Sequence, residues 1–286
     1  MRSILFINLP ESFQIEFKKL VEYNGYKFHH IKFTEVALLN NKILIDDKLL
    51  EDFNFVLVGL TEKHKYISPI LKQSLINKNI PFIFYGHKPS YIDSKIFEIY
   101  NLSNNNISII PSLISKSVDT IRYFTSQYKQ SFITKPINGK KGRDIIQHSS
   151  IESIINTIQK SEIPLIIQPM VPNNGDYRVW ILKNKVIGVI KRSPTEEGEF
   201  RSNISLGGTS EIATLPDEVL NMAIKSVAIL DLDMAGVDII QDIETKKYYI
   251  MEVNAAPQFN GFMATTGINL FEVITKHIIQ EIESKK

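Results

Sequence analysis

A chain of 286 residues, 43% hydrophobic and 22% charged, has the size and composition of two or three small domains sharing a continuous core. A formal charge of +2 gives no electrostatic case for nucleic acid or an anionic membrane surface, and no apolar run reaches the roughly 18 residues of a membrane span. The absence of cysteine excludes disulfides, thiolate catalysis and thiolate-bound metals, and the six histidines show no paired spacing. The apolar segment from Ser3 to Ile7 stops too soon, at Asn8 and Pro10, to be a signal peptide, so a cytoplasmic location is expected.

In chain order, apolar runs at Ser3–Ile7, Phe28–Ile31, Phe55–Val58 and Pro81–Phe84 read as strands. Between them, Glu11–Tyr23 carries Phe13, Phe17, Leu20 and Val21 at helical spacing and is closed by Gly25, and Ser68–Asn77 reads as a second helix. Alternating strands and helices predict a small parallel sheet over residues 1–92. Without a Gly-x-Gly-x-x-Gly it has no dinucleotide signature and reads as a substrate-side domain. Tyr91–Lys95 begins another helix that continues towards Leu102, with Asp93 or Ser94 able to cap its first turn; a polar turn at 103–106 and a short strand at Ile107–Ile110 follow.

Ser131–Pro136 reads as a strand that carries Lys135 at its end. The loop Asn138-Gly139-Lys140-Lys141-Gly142-Arg143 then leads to a second strand, Asp144–Gln147. Glycine-borne backbone N–H groups beside basic side chains suit phosphate. Ser150–Lys160 is an amphipathic helix, and Leu165–Val171 a buried strand running into a loop. Asp176–Leu182 and Lys185–Lys191 form a hairpin turning at Lys183-Asn184, with Arg178 on the face opposite Val179 and Ile181. Arg192 follows it, and Phe200-Arg201-Ser202-Asn203 comes after a polar loop; arginine forks suit carboxylates and phosphates. Pro216–Leu230 reads as a core helix.

Ala235–Ile240 and Tyr248–Pro257 read as antiparallel strands turning at Glu244–Lys246. Period-2 alternation puts Glu252 and Asn254 on one face, and a suitable register adds Asp238, giving three oxygen donors of the kind that hold Mg²⁺. The apolar neighbours of Glu252 predict its burial, and a buried carboxylate needs a cation or hydrogen-bond donors. Gly261–Gly267 reads as a mobile loop and Leu270–Ile282 as a closing helix.

Val-Asp-Ile at 237–239, followed by Met-Glu-Val-Asn-Ala-Ala-Pro at 251–257, resembles the C-terminal metal signature of the ATP-grasp superfamily. With Phe200-Arg201-Ser202-Asn203 before it and Thr265-Thr266-Gly267-Ile268 after it, the wording is similar to the branch of the ribosomal protein S6 glutamate ligase and the lysine-biosynthesis ligases. The resemblance implies an α/β (α+β) ATP-grasp fold with a pre-ATP-grasp domain at 1–92, a central subdomain at 93–168 and a C-terminal subdomain at 169–286. It implies ATP with Mg²⁺, for which Mn²⁺ can substitute. Lys95, Lys135, Gly139, Gly142 and Asp176 would serve the nucleotide, and Gln168, Pro169, Met170 and Val171 the adenine hinge. Arg178, Arg201, Ser202, Asn203 and Asn254 would hold the substrate; Arg192, Arg201 and Lys135 would act on the transferring phosphoryl group; Asp238, Glu252 and Asn254 would hold the metal.

Two places depart from the family pattern: Pro169-Met170 replaces a glutamate-aromatic hinge, and Arg143-Asp144 stands where small residues are usual. The implied reaction is ATP-dependent ligation of a carboxylate to an amine through an acylphosphate, the partners being ATP, an acid and an amino-acid amine, with a protein or peptide tail among the candidates. No nucleic acid or membrane partner is expected, and the branch includes homo-oligomers, both dimers and tetramers. Small-molecule phosphoryl transfer, or nucleotide-dependent regulation with little turnover, are the alternatives.

Overall fold

The computed structural model describes residues 2–59, 67–86, 95–137, 139, 144–193 and 209–285. The chain opens with β1 (Ser3–Ile7), α1 (Glu11–Tyr23) and β2 (Lys27–Ile31). A small antiparallel meander follows, β3 (Val36–Leu39), β4 (Lys42–Ile45) and β5 (Lys48–Leu49), and then β6 (Phe55–Gly59), α2 (Ser68–Asn77) and β7 (Phe82–Tyr85). The main strands pair in parallel in the order β2-β1-β6-β7. From Ile4 to Ile7 in β1 and from Phe55 to Val58 in β6 the strands are apolar because both their faces are covered. Ile4, Phe6, Phe55 and Leu57 pack towards α1, while Leu5, Ile7, Val56 and Val58 pack towards α2 and the meander. The sequence reading assigned no strands between Ile31 and Phe55; the meander turns there, with Asn40 and Asp46 at positive φ.

Next come α3 (Lys95–Asn104), α4 (Val118–Ser126), β8 (Phe132–Pro136), β9 (Ile146–His148), α5 (Ile151–Lys160) and β10 (Leu165–Pro169). The strands form a second sheet, β10-β8-β9, with Phe132 and Ile167 packed against Ile121 of α4 and Ile154, Ile155 and Ile158 of α5. Where a polar turn was expected at 103–106, α3 continues to Asn104. The expected strand at Ile107–Ile110 is reduced to one parallel bridge, Ile109 to Ile250.

The remainder comprises β11 (Asp176–Leu182), β12 (Lys185–Ser193), β13 (Thr209–Ile212), α6 (Asp217–Ile229), β14 (Met234–Gln241), β15 (Tyr248–Asn254), α7 (Phe259–Thr266) and α8 (Leu270–Ser284). Its strands make one antiparallel sheet in the order β13-β12-β11-β14-β15. Val179, Ile181, Val237 and Ile239 face α6, whereas Trp180, Leu182, Ile190 and Met234 face α7, α8 and the first sheet. The expected loop at 261–267 is a helix instead. Phe259 and Phe262 are one turn apart and both buried, so the segment has an apolar face to pack, and Gly267, at φ +71, closes it in the left-handed conformation.

The pairing of β14 with β15 contains a bulge. Asp238 opposes Glu252 and Ile239 opposes Ile250, leaving Met251 as the extra residue. Ile250 and Val253 thereby enter the same core, while Glu252 and Asn254 face the other way. Among the described residues no helix is long and apolar enough to cross a membrane.

Candidate active site

Asp238 lies on β14 between β11 and β15, in register with Arg178 on one side and Glu252 on the other. Arg178 forks onto it, Nε donating to Oδ1 and Nη2 to Oδ2, each at 2.8 Å. Arg192 Nη2 reaches Oδ1 at 3.1 Å, and Asn254 Nδ2 donates to Oδ2 at 3.1 Å. A carboxylate offers about four acceptor positions, so Asp238 is saturated. Arg192 also donates through Nε to Asp176 Oδ1 at 2.6 Å, and its Nη2 contacts the same oxygen.

Asp176, Arg192 and Asp238 are all buried, and a buried ion network is tolerated only when its members are paired this fully. Burial works to raise the Asp238 carboxyl, but Arg178 and Arg192 carry it below the usual carboxylate range. Burial likewise opposes the charge on Arg192, and Asp238 and Asp176 raise its pKa above the usual guanidinium value. Gly175 permits this approach: at φ +94, a Cβ added there would meet Arg192 O at 2.1 Å.

The second part of the site comes from α3, β8 and β15. Lys95 Nζ donates to Gly139 O at 2.8 Å and stands 3.9 Å from Glu252 Oε1, tying the loop after β8 to β15. Lys135 points away from the face of its sheet covered by α4 and α5. Burial, then the charge of Lys95, lower its ammonium to about 8, while Glu252 and Glu98 pull it up. These four charged groups therefore act on one another as a cluster. The burial expected of Glu252 from its apolar neighbours is not found: Ile250 and Val253 enter the core while the Glu252 side chain is 40% exposed and accessible.

Gln168 opposes Ile133 across the sheet, on the face that carries Lys135. Its Nε2 donates to Ser112 Oγ at 2.7 Å, and its buried Oε1 has no hydrogen-bond partner among the described residues. At the neighbouring hinge, Pro169 has no N–H and Met170 N–H donates to Ser131 O at 2.7 Å, so neither residue offers a backbone donor to a base. Val171 O accepts from Asn173 Nδ2 at 2.9 Å.

The first sheet approaches from its carboxyl edge. Gly86 N–H donates to Ala255 O at 3.0 Å and Tyr85 Oη to Pro257 O at 3.4 Å, immediately after Asn254. Among the expected site residues, Lys95, Lys135, Gly139, Glu252, Asn254, Asp238, Arg178, Arg192 and Asp176 are thus linked by contacts or fields. Gly142, Arg201, Ser202 and Asn203 lie outside the described residues. Gly175 and Glu98 were not singled out from sequence. Gly175, between Asn174 and Asp176, carried a local signal as the loop glycine before a strand; Glu98, inside a helix, carried none.

A divalent metal fits the donor chemistry. Among the described residues no three His, Cys, Asp or Glu side chains gather as a self-sufficient metal cage. Two carboxylates and the Asn254 amide oxygen instead make a hard, incomplete oxygen set, of the kind Mg²⁺ shares with phosphate. Because Asp238 is saturated, its share in such a site requires exchange of one existing hydrogen bond.

A family model described as a RimK-like ATP-grasp domain matches residues 93–281. The chain belongs to that family. A probable alpha-L-glutamate ligase of Mannheimia succiniciproducens is 27% identical to this RimK-like chain over 239 residues, covering 82% of this chain and 79% of that protein. A protein of the same description from Shewanella pealeana is 29% identical over 197 residues, covering 67% of this chain and 42% of the relative, so the chain spans less than half of it. The solved ATP-grasp ligase PsnB, complexed with a minimal precursor, Mg and ADP, superposes with a TM-score of 0.74 over 98% of both chains, at 16% identity. The RimK-like chain has the ATP-grasp fold that its motifs implied, and it is an ATP-grasp ligase.

Proposed function

We propose that this protein joins the amine of an amino acid to a carboxylate on a polypeptide or a second amino acid, with ATP and Mg²⁺ as co-substrates and ADP and phosphate as products. Glutamate is the first candidate amino acid, because the relatives are named as glutamate ligases. A peptide acceptor is the first candidate acid, because the PsnB structure holds a precursor. The cytoplasm, where ATP is supplied, is the proposed location, and the divisions at 1–92, 93–168 and 169–286 are proposed as the working domains.

The observation that carries this reading is the meeting of Lys95, Lys135 and Glu252 beside the Arg178–Asp238–Arg192 network. An acceptor carboxylate oxygen attacks the γ-phosphorus of ATP, the bond to the β–γ bridging oxygen breaks, and ADP leaves. The amine then attacks the acyl carbon, phosphate departs, and the amine releases a proton. Lys95 and Lys135 would bring positive charge to the phosphates, and Arg178 and Arg192 would present guanidinium groups held in fixed orientation by Asp238 and Asp176. A bound divalent cation, held by Glu252, Asn254 and Asp238, would neutralise phosphate charge. Gly139 and the Pro169–Val171 hinge would flank the nucleotide, and Gly142, Arg201, Ser202 and Asn203 are assigned to it or to the substrate by motif position alone.

The test is ADP release by the purified protein with ATP, Mg²⁺ and panels of acids and amines. Release that requires both an acid and an amine, with the amide product found by mass spectrometry, is expected. Release with an acid alone and a stable phosphorylated product would replace this reading with a kinase. In the Glu252→Ala protein, folded by circular dichroism, ligation should fall at least 100-fold; a near wild-type rate would refute the metal assignment.

A further inference from the structure

The strand that carries Glu252 and Asn254 is an edge strand, so half of its backbone groups have no partner within the sheet. Two fastenings cover that edge. At one end, Ile250 N–H donates to Ser108 O at 2.8 Å and Ser108 Oγ donates to Tyr248 O at 2.7 Å. At the other, Val253 N–H donates to Glu98 Oε1 at 2.8 Å. The bulge at Met251 makes both necessary, because it turns the amides of Ile250 and Val253 outward together.

Glu98 is buried in the first turn of α3, one turn after Lys95, and a buried carboxylate in a helix is costly unless something donates to it. Its bond falls on the residue between Glu252 and Asn254. The same helix turn therefore places Lys95 against Glu252 and anchors the backbone on which Glu252 is mounted.

We propose that Glu98 is a positioning residue: by accepting from the Val253 amide it holds the bulged end of β15 so that Glu252 and Asn254 present their oxygens together to a divalent cation. This rests on the ligase reading of the site and adds to it a residue that touches neither cation nor nucleotide. It differs from a packing role in depending on an acceptor oxygen rather than on volume. Glutamine keeps that oxygen, and methionine fills the space without it.

The experiment compares wild type, Glu98→Gln and Glu98→Met by electron paramagnetic resonance titration of Mn²⁺ in the presence of a non-hydrolysable ATP analogue. Amide exchange at Val253 and Ile250 is followed by NMR on the same full-length proteins. Glu98→Met should weaken Mn²⁺ binding about 10–100-fold, the range found when groups supporting metal ligands are removed. It should speed exchange at Val253 at least tenfold while Ile250, held by Ser108, is unchanged. Glu98→Gln should stay within about threefold of wild type on both counts, by retaining the acceptor. If Glu98→Met does not fold, Glu98→Ala is measured in the same way.

Unchanged Mn²⁺ binding in a folded Glu98→Met protein would overturn the proposal while leaving the ligase reading standing. Equal weakening by glutamine and methionine would overturn it too, since charge rather than the hydrogen bond would then be responsible. Failure of wild type itself to bind Mn²⁺ with the analogue would overturn the ligase reading and this proposal together.

Discussion

Lys135 and Asp238 answer burial in opposite ways, and each answer is measurable. The Lys135 ammonium titrates at about 8 because burial and Lys95 outweigh the pull of Glu252 and Glu98. Only the charged form attracts triphosphate, so kcat/KM for ATP should fall as pH rises through about 8, whereas kcat holds because bound phosphates keep the lysine protonated. A kcat/KM flat from pH 7 to 9.5 would show that Lys135 does not meet the nucleotide. Asp238 keeps its charge because two arginines share it. Asp238→Asn leaves those guanidinium groups short of a counter-charge and should cost about 3–5 kcal/mol of stability as well as activity, read from urea denaturation. A loss below about 1 kcal/mol would mean that solvent reaches the network. At this scale the sequence was readable where chemistry follows period or motif: Glu252, Asn254 and Asp238 do share a face, and Lys135 does lie at a strand end. It was silent on Glu98, whose burial is imposed by a strand about 155 residues further along the chain.

Among the elements, the long regular ones were readable because their apolar spacing is local. Helix α1, helix α2 and the β11–β12 hairpin coincide closely with expectation, and the hairpin turns where Lys183 and Asn184 both take positive φ. The misreadings occurred where tertiary contacts decide. Helix α7 is short and contains Gly261, so its tendency alone is weak, and it is Phe259 and Phe262 packing beneath β11 and β12 that make it helical. The bulge in β15 also left no mark in the alternation, since Ile250 and Val253 look like residues of opposite faces until their shared core is seen. The connection into β11 is the element most exposed to a single change. In Gly175→Ala, positive φ and a backbone clash combine, and a loss of about 2–4 kcal/mol is expected, with the Asp176–Arg192 contact displaced. Gly25→Ala, also at positive φ but with nothing within 4 Å of the added carbon, should cost only about 1 kcal/mol. Equal melting temperatures for the two variants would contradict the close approach at Arg192.

Across the whole molecule, the first parallel sheet and the five-stranded sheet are built around one aromatic cluster. Phe13 of α1 lies 4.6 Å from Phe259 of α7 and 5.0 Å from Phe271 of α8, ring centre to ring centre, and Phe259 is 5.2 Å from Trp180 of β11. Tyr85, at the end of β7, completes the contact with Phe259 at 5.6 Å. The first sheet, proposed as the domain over residues 1–92, shares its apolar face with residues from the far end of the chain. Such a core couples the two sheets in unfolding, and Trp180, the chain's one tryptophan, is fully buried within it. Tryptophan fluorescence and far-ultraviolet circular dichroism should thus give coincident urea transitions, and Phe259→Ala should shift both together by about 3–5 kcal/mol. Acid should move the same transition. Burial depresses His29, His30, His148 and His277 below 6.5, so the unfolded chain takes up protons first and stability is lost as pH falls from 7 towards 5. If fluorescence in the Phe259→Ala protein moved while most of the circular dichroism signal did not, the first sheet would be folding on its own. The carboxyl edge that meets Ala255 and Pro257 would then be a docked surface rather than part of one cooperative body.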